Sequence, residues 1–520
     1  MAPKGAAFFV RLKDRSIQTE SVSRRHLLIS HKSRMILYSR LHFMRRTLPT
    51  AVLFACLSAA SWTQPRPATT LVAPSPLSKE LIQQLESVRE AALNSDYAWR
   101  QLAHLTENIG PRPAGSLQAQ AASEYVAAEM RKLGLDVHLE EARVSHFVRG
   151  DEKAELVEFP GQPAQVNQKI VLTALSGGTA TPPEGITADV VVVCSFDELT
   201  ALGRDKVAGK IVLFSVHYDV RKAQAGSAFD AYGETVVYRG NGGKAVAALG
   251  GAASLVRSIG AAEYRLPHTG FSYPAPIPAA ALAAEDADLI ERLAAQGRVR
   301  MHLTLTPQHL PDTTGYNVVA DIKGSEHPEQ IVVVSGHLDS WDLGRGAIDD
   351  GAGVVISMAT AEILQRLHLR PRRTLRVIAW MDEENGGGGH DAYGKSHASE
   401  MPNHVAAIES DAGAGHPLGF SAKMSPAAAA TLRPILEVLR PVGSTVMRPT
   451  NVSPGSDIEP LVDAGVPGLG IIQDGRRYFD YHHTAADTLD KVDPQELREN
   501  AAAMAVMGYA LAAMPDPLPR

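Results

Sequence analysis

A three-layer α/β/α sandwich around a mixed, largely parallel sheet is the fold that the sequence predicts, and three observations predict it. Ile331 to Val334, Thr374 to Trp380 and Val405 to Ile408 are continuous β-branched or apolar runs, the pattern of strands buried on both faces. Stretches with helical apolar spacing precede and separate them: Leu81 to Leu105, Gln118 to Leu133 and Ala352 to Leu367. Between about Ala142 and Pro311 the texture changes to short strands and Gly/Ala loops, which marks an inserted β-rich region.

At 520 residues the chain is too long for one compact core and suggests about two domains plus termini. Its hydrophobic fraction of 45% and charged fraction of 21% are those of an ordinary soluble globular protein. A net charge of -6, with no basic run in the body of the chain, argues against nucleic acid as a partner. The cysteines are Cys56 and Cys194, and the first falls in a segment expected to be removed. Neither an intrachain disulfide nor a thiolate metal site is therefore expected.

Residues 1–43 are basic, lack apolar periodicity and read as an upstream mis-start. Residues 44–60 have the layout of a signal peptide: Met44 with Arg45 and Arg46, the apolar Leu48 to Leu57, then Ser58, Ala59 and Ala60 at the cleavage signal. An exported protein, periplasmic or secreted, follows from that. The apolar core is too short to span a bilayer, so no stable membrane insertion is expected after signal removal. Leu53-Phe54-Ala55-Cys56 faintly resembles a lipoprotein box. Residues 61–79, with the Pro/Thr-rich Gln64 to Pro76, read as a linker.

In the first helix Leu81, Leu85, Val88 and Ala92 share one face, and Asp136 to Glu140 is strand-like. Gly110-Pro111-Arg112 between the first helices reads as a rigid turn. Within the inserted region Asp189 to Cys194, Lys210 to Ser215 and the alternating Arg298 to Leu305 read as strands, and Asp197 to Leu202 and Ala245 to Ile259 as helices. His217 with Asp219 reads as a surface turn. The region is expected to lie over the site and shape access to it, with a separate binding module as the alternative.

The chemistry-bearing residues sit at strand ends. Ser335-Gly336 ends the first strand and delivers His337 and Asp339 to its carboxyl edge, where open α/β sheets keep their sites. A Gly-rich loop, Leu343 to Ala347, then carries Asp349 and Asp350 to the start of the next helix. Burying such charges without a partner costs several kcal/mol each, and a divalent cation is the simplest remedy. The plain alternative is that the same residues cap the strand and the helix. The second strand runs into Met381-Asp382-Glu383-Glu384-Asn385 and Gly386 to Gly389, and the third ends in Glu409-Ser410-Asp411. Adjacent carboxylates at a strand end point apart, so one can ligate while its neighbour faces a water, as metal-assisted hydrolysis requires. Gly455-Ser456-Asp457 and Tyr481-His482-His483-Thr484, followed by Asp487-Thr488, complete the series. Each alone reads as a cap, an acidic turn or a surface histidine pair, but their coincidence in one region favours a shared site.

GHLDSWDLGRGAIDDGAG, WMDEENG, ESDAG, GSDIEP and YHHTAADT, in that order, resemble the co-catalytic di-zinc exopeptidases, which include leucyl-type aminopeptidases and glutamate carboxypeptidases. The likeness runs from about Leu81 to Met514. It implies a zinc-exopeptidase fold with residues 80–141 and 312–515 as the two parts of a catalytic domain and 142–311 as a protease-associated-type insertion. It also implies that Asp349 bridges two zinc ions, that His337 and Asp411 complete one, that Glu384 and His483 complete the other, and that Glu383 is the general base. His482 and His483 are not distinguished by sequence, although the spacing to Asp487-Thr488 favours His483. His482 then stands in the outer shell, where some relatives carry a Tyr that steadies the oxyanion. Asp339 and Asp457 look like outer groups that orient ligand imidazoles through the far ring nitrogen. Manganese or cobalt suits the same donors.

The function so implied is removal of N-terminal residues or splitting of dipeptides, with a peptide substrate and a homodimer as candidate partners. The alternative is a carboxypeptidase for acidic C-terminal residues, which wants arginines at the substrate carboxylates. Arg239, Arg345, Arg476 and Arg477 are available, and the sequence does not place them. A receptor-like relative without catalysis is the third reading, opposed by the intact ligand set.

Overall fold

Ile331 to Val334 fills both faces of one strand: Val332 and Val334 enter one apolar cluster, Ile331 and Val333 another. A strand covered on both sides has no use for polar alternation, hence the continuous run. The computed structural model describes residues 77–520 apart from Ala262 and Glu263. The expected mis-start, the signal peptide with Cys56, and nearly all of the linker lie outside the described residues.

In chain order the strands are β1 (Asp136–Val148), β2 (Glu152–Glu158), β3 (Gln168–Ile170), β4 (Leu172–Ala174), β5 (Ile186–Val193), β6 (Ile211–Phe214), β7 (Ala253–Arg257) and β8 (Ala279–Leu282). They continue as β9 (Arg300–Leu305), β10 (Gln308–Ile322), β11 (His327–His337), β12 (Arg373–Trp380), β13 (His404–Glu409), β14 (Pro417–Lys423), β15 (Val446–Pro449) and β16 (Gly468–Gln473). Among the described residues they form two 8-stranded sheets, ordered β1-β10-β12-β11-β13-β16-β14-β15 and β3-β2-β9-β5-β6-β7-β8-β4.

The first sheet is parallel at its centre, β12, β11, β13 and β16, and antiparallel where β10 meets β1 and β12 and where β14 meets β16. Helices Lys79–Leu93, Ala352–Arg366 and Pro494–Ala513 cover one face through Leu85, Val355 and Met504. Helices Gly388–Ser396 and Glu459–Asp463 cover the other through Tyr393 and Leu461. The three layers follow from a parallel sheet's need for cover on both faces. In the first helix Leu81, Leu85, Val88 and Ala92 are the buried stripe, and Ser78 caps it by accepting from the Leu81 N–H at 3.1 Å.

The second sheet falls in the chain where the sequence texture changes. β1 runs well past the expected Glu140 and pairs with β10 as far as Val148 and Gln308, so one long ribbon carries the chain out of the first sheet and back. The region holds both strands and helices, and its strands are not all antiparallel. β5, β6, β7 and β8 are mutually parallel, and parallel neighbours need crossovers, two of which are the helices Phe196–Val207 and Ala228–Ala248. The expected helix over Ala245 to Ile259 is corrected. The helix stops at Ala248, and Ala253–Arg257 is β7, between β6 and β8. Gly250, at φ 77, turns the chain between the two, and an Ala/Leu/Val run has no period that separates a buried strand from a buried helix. No described helix is long and apolar enough to cross a membrane.

Candidate metal centre

β12, β11 and β13 end together: His337 pairs with Trp380 and Ser335 with Glu409. Parallel strands that stop at one level form a rim, and the turns leaving it carry Asp339, Glu383, Glu384 and Asp411. The helix Ala352–Arg366 comes close to this rim because Gly353 lacks a side chain. A Cβ there would sit 1.9 Å from the Ser410 carbonyl oxygen. The close approach seats Asp350, which accepts from the N–H groups of His337 at 3.1 Å and Gly353 at 2.8 Å, and with it Asp349.

His337, Asp349, Glu384, Asp411 and His483 meet at this rim, and each is at least largely buried. His337 Nε2 lies 3.1 Å from Asp349 Oδ1 and 3.3 Å from Asp411 Oδ1. His483 Nε2 lies 3.0 Å from Asp349 Oδ2 and 3.0 Å from Glu384 Oε2. The two oxygens of Asp349 thus face different groups, His337 with Asp411 on one side and Glu384 with His483 on the other. In each group the donor atoms lie within 4.8 Å of one another. Glu384 Oε1 is buried without a hydrogen-bond partner among the described residues. An orphaned buried acceptor costs about 1–3 kcal/mol, more when charged, and a cation relieves that cost. Oxygen and imidazole donors without thiolate fit zinc, and also manganese or cobalt.

The proton balance points the same way. Burial pushes the carboxyls of Glu383 and Asp411 up and that of Glu384 up to about 7, with neighbouring carboxylates adding to the effect. Asp349 stays well below the usual carboxylate range despite its burial, because His482, His337 and His483 face it. Acids driven to retain protons mark a site short of positive charge.

The outer groups depart from expectation in informative ways. Asp339 does orient His337, but through its backbone carbonyl, 3.1 Å from Nδ1; its carboxylate stands 3.8 Å away. That carboxylate accepts instead from the N–H groups of Asp382 (2.8 Å), Glu383 (3.1 Å) and Glu384 (3.3 Å), and so holds the turn that presents both glutamates. Asp457 orients no ligand imidazole: its Oδ1 pairs with His390 Nδ1 at 3.0 Å. Its neighbour Ser456 donates to Glu383 Oε1 at 2.7 Å. Trp341 Nε1 donates to Glu384 Oε2. Asp487 accepts from the N–H groups of Ala347 (2.8 Å) and Ile348 (2.7 Å), fixing the loop just before Asp349.

Arg112, read as part of a rigid turn, is fully buried. Its guanidinium donates to the carbonyls of Leu338 (2.8 Å), Gly110 (3.0 Å), Arg345 (2.9 Å) and Gly346 (2.8 Å), clamping both ends of the loop that leads to Asp349.

The inserted region reaches the same rim. Thr269 N–H donates to the His483 carbonyl at 2.9 Å, and the Thr269 carbonyl lies 3.2 Å from His483 Nδ1. This pairing holds His483 at φ 59, a conformation rarely taken by a non-glycine residue. Arg149, at the end of the β1 ribbon, joins the two regions by a double contact with Asp342 and a bond to Thr269 Oγ1. Phe229, Tyr232, Arg239 and Phe271 of the inserted region and Asp349, Glu383, Glu384, Asp411, His482 and His483 of the first sheet's edge line one cavity. Arg345, Arg476 and Arg477 are engaged elsewhere, by the Thr106 carbonyl, Asp474 and the Tyr481 hydroxyl. His217 is exposed and lies 3.8 Å from both Asp288 and Glu291, while Asp219 accepts from the Lys222 N–H.

Residues 317–507 match the model of peptidase family M28. Human carboxypeptidase Q is 37% identical over 455 residues, which covers 85% of this chain and 92% of that protein. The Xenopus laevis carboxypeptidase Q is 38% identical over 441 residues, 84% of this chain and 89% of that one. The crystal structure of a peptidase M28 precursor from Shewanella amazonensis superposes with a TM-score of 0.78 at 35% identity, covering 85% of this chain and 98% of that one. A zinc aminopeptidase from Bacillus subtilis shares the fold, with a TM-score of 0.60 at 20% identity over 81% of this chain and 96% of its own.

Proposed function

The chain belongs to peptidase family M28, and we propose that it is a two-zinc exopeptidase that releases terminal residues from short peptides or splits dipeptides. The observation that carries this reading is Asp349, whose carboxylate oxygens face two separate ligand groups. We assign His337, Asp349 and Asp411 to one zinc, and Asp349, Glu384 and His483 to the other. Bound there, the ions would polarise the scissile carbonyl and bring the pKa of the attacking water down toward about 7.

Glu383 is the general base in this reading. It lines the cavity, and Ser456 occupies its Oε1, so Oε2 is the atom left to take the water's proton and pass it to the leaving amine. Burial raises its affinity for that proton, which suits a group that must accept and then donate. Glu383→Gln is expected to retain zinc and to lose at least about 100-fold in turnover, the usual scale of general-base catalysis. Near-wild-type turnover in that variant rejects the assignment. Export through the amino-terminal signal and a protease-associated character for the inserted region belong to the same proposal.

A second reading, a carboxypeptidase or a dipeptidase that requires a free carboxyl terminus, is favoured by Arg239. This residue is 3% exposed and lines the cavity. Its guanidinium donates to the carbonyls of Phe271 (3.2 Å) and Thr269 (3.3 Å) rather than to a carboxylate, and its Nη1 stands 3.3 Å from His483 Nδ1. A buried cation without an anionic partner is unfavourable by several kcal/mol, and the terminal carboxylate of a peptide is the anion a substrate brings.

A further inference from the structure

The two ligand groups are held by different parts of the chain. His337 is fixed from within the first sheet and its loops: its N–H donates to Asp350, and its Nδ1 faces the Asp339 carbonyl. His483 leans on the inserted region. Its carbonyl accepts from the Thr269 N–H at 2.9 Å, and its backbone sits at φ 59, a conformation that persists only where neighbours impose it. The Glu384 carboxylate is steadied by Trp341, whose indole N–H donates to Oε2 and whose ring centroid lies 5.7 Å from that of His483.

One side chain reaches both supports. Arg149 follows β1, and its side chain is 10% exposed. Nε and Nη2 donate to Oδ2 and Oδ1 of Asp342 at 2.7 and 2.6 Å, and Asp342 stands next to Trp341 in the loop that leaves β11. Nη2 also donates to Thr269 Oγ1 at 3.0 Å. Nη1 donates to Glu152 Oε1 (3.0 Å), Thr173 Oγ1 (2.6 Å) and the Ala174 carbonyl (2.8 Å), all on strands of the second sheet. The guanidinium thus spends its full set of N–H groups on one junction. Such a planar fork fixes direction as well as distance, which the point charge of a lysine does not.

We infer that Arg149 is a positioning residue for the zinc of the Glu384 and His483 group: it locks the inserted region against the Trp341 loop, so that this ion's affinity depends on the docking while that of the His337 and Asp411 ion does not. The inference rests on the two-zinc reading of the rim. Asp349 is common to both groups, but the loop before it is fixed by Arg112 and Asp487, which lie outside the inserted region, so it does not carry the dependence across. Coupling of this kind is reciprocal. If docking raises the affinity for zinc, zinc tightens the docking by the same factor.

Zinc affinity, read by competition with a chromophoric chelator, tests this in two backgrounds of the full chain. Asp411→Ala keeps the Glu384 and His483 group whole, and Glu384→Ala keeps the His337 and Asp411 group. Adding Arg149→Met is expected to weaken zinc binding about 10- to 100-fold in the first background, the usual effect of losing a group that orients metal ligands, and by less than about threefold in the second. Equal weakening in both, or none in either, overturns the inference. Asp342→Asn keeps the shape of the junction and removes its charge; it is expected to show the same preference on a smaller scale, and it carries the test if Arg149→Met does not fold. Weakening without preference in Asp342→Asn likewise overturns the inference. Hydrogen exchange gives the reciprocal readout: zinc is expected to slow exchange of the Thr269 amide more in Asp411→Ala than in Glu384→Ala, and equal slowing counts against the coupling. A wild-type protein that binds no zinc refutes the two-zinc reading and the inference with it. A zinc-loaded protein that cuts no peptide refutes only the peptidase reading, since the affinities are still measured.

Discussion

Replacing Arg239 by glutamine tests whether the inserted region reads the carboxyl end of the substrate. The guanidinium is 3% exposed and donates to two carbonyls, so a carboxylate meeting it would be paired away from water. A hydrogen bond to a charged partner under such conditions is worth about 1.5–3 kcal/mol. At about 1.4 kcal/mol per factor of ten, Arg239→Gln should lower kcat/KM for a free-acid dipeptide such as Ala-Leu by roughly 10- to 150-fold. The same change should leave Ala-Leu amide nearly untouched, because the amide carries no charge for the arginine to hold. The assay is the initial rate of leucine or leucinamide release by wild type and variant, at equal zinc content. Equal losses on both substrates would show that Arg239 only supports the Thr269 to Phe271 backbone, and the carboxypeptidase reading would fall with that result. Running N-acetylated peptides alongside reports whether the amino end is read as well.

Other consequences follow from the same geometry. Asp349→Ala removes the carboxylate common to both ligand groups and should abolish zinc binding, measured by elemental analysis; wild-type metal content would refute the bridging assignment. Withdrawing metal from the wild-type enzyme should lower its unfolding free energy by about 2.7 kcal/mol for each site that zinc fills at a hundred times its Kd, visible as a fall in Tm, since the ions bind the folded chain. Arg112→Met orphans the carbonyls that the guanidinium serves and should destabilise the protein by about 3–5 kcal/mol in urea unfolding, and a loss below about 1 kcal/mol would show the clamp to be slack. His404, buried with its Nε2 accepting from the Tyr393 hydroxyl at 2.7 Å, has its pKa lowered by burial to about 4. Its stabilising contribution is complete above the unfolded value of about 6.5 and is lost as pH falls toward about 4, because the unfolded chain takes the proton first. The stability gap between wild type and His404→Gln should therefore shrink by roughly 2 kcal/mol between pH 7.5 and pH 5, and a pH-independent gap would contradict the shift.

The acids and imidazoles that gather at the rim were legible as candidates because each belongs to a local pattern. His337, Glu384 and Asp411 follow apolar runs, and a strand of that kind delivers its last residues to the sheet edge wherever the sheet lies. What was not legible depends on partners far away in the chain. Arg112 looked like a turn because Gly110 and Pro111 beside it are turn formers, while two of its acceptors, the carbonyls of Leu338 and Gly346, lie 226 and 234 residues further on. Asp339 and Asp457 were expected to serve ligand imidazoles. Yet a carboxylate goes to the donors nearest it, which are three amides in one case and His390 in the other. The strand at Ala253 reads as helix in the sequence because an unbroken apolar run carries no period, and only its place between two parallel neighbours settles the matter.

The sequence by itself determined the layered α/β plan, the residues fit to hold cations and the presence of an inserted region, since apolar periodicity and strand-end acids are short-range properties of the chain. Only the folded chain decided how Asp349 divides its oxygens between two ligand groups, and that Arg239, His268 and Thr269 of the inserted region stand at their rim. Those relations are distances and hydrogen-bond directions between separate segments of the chain, as far as 214 residues apart for His268 and His482. The docking of one sheet's loops on another, which no local pattern encodes, creates them.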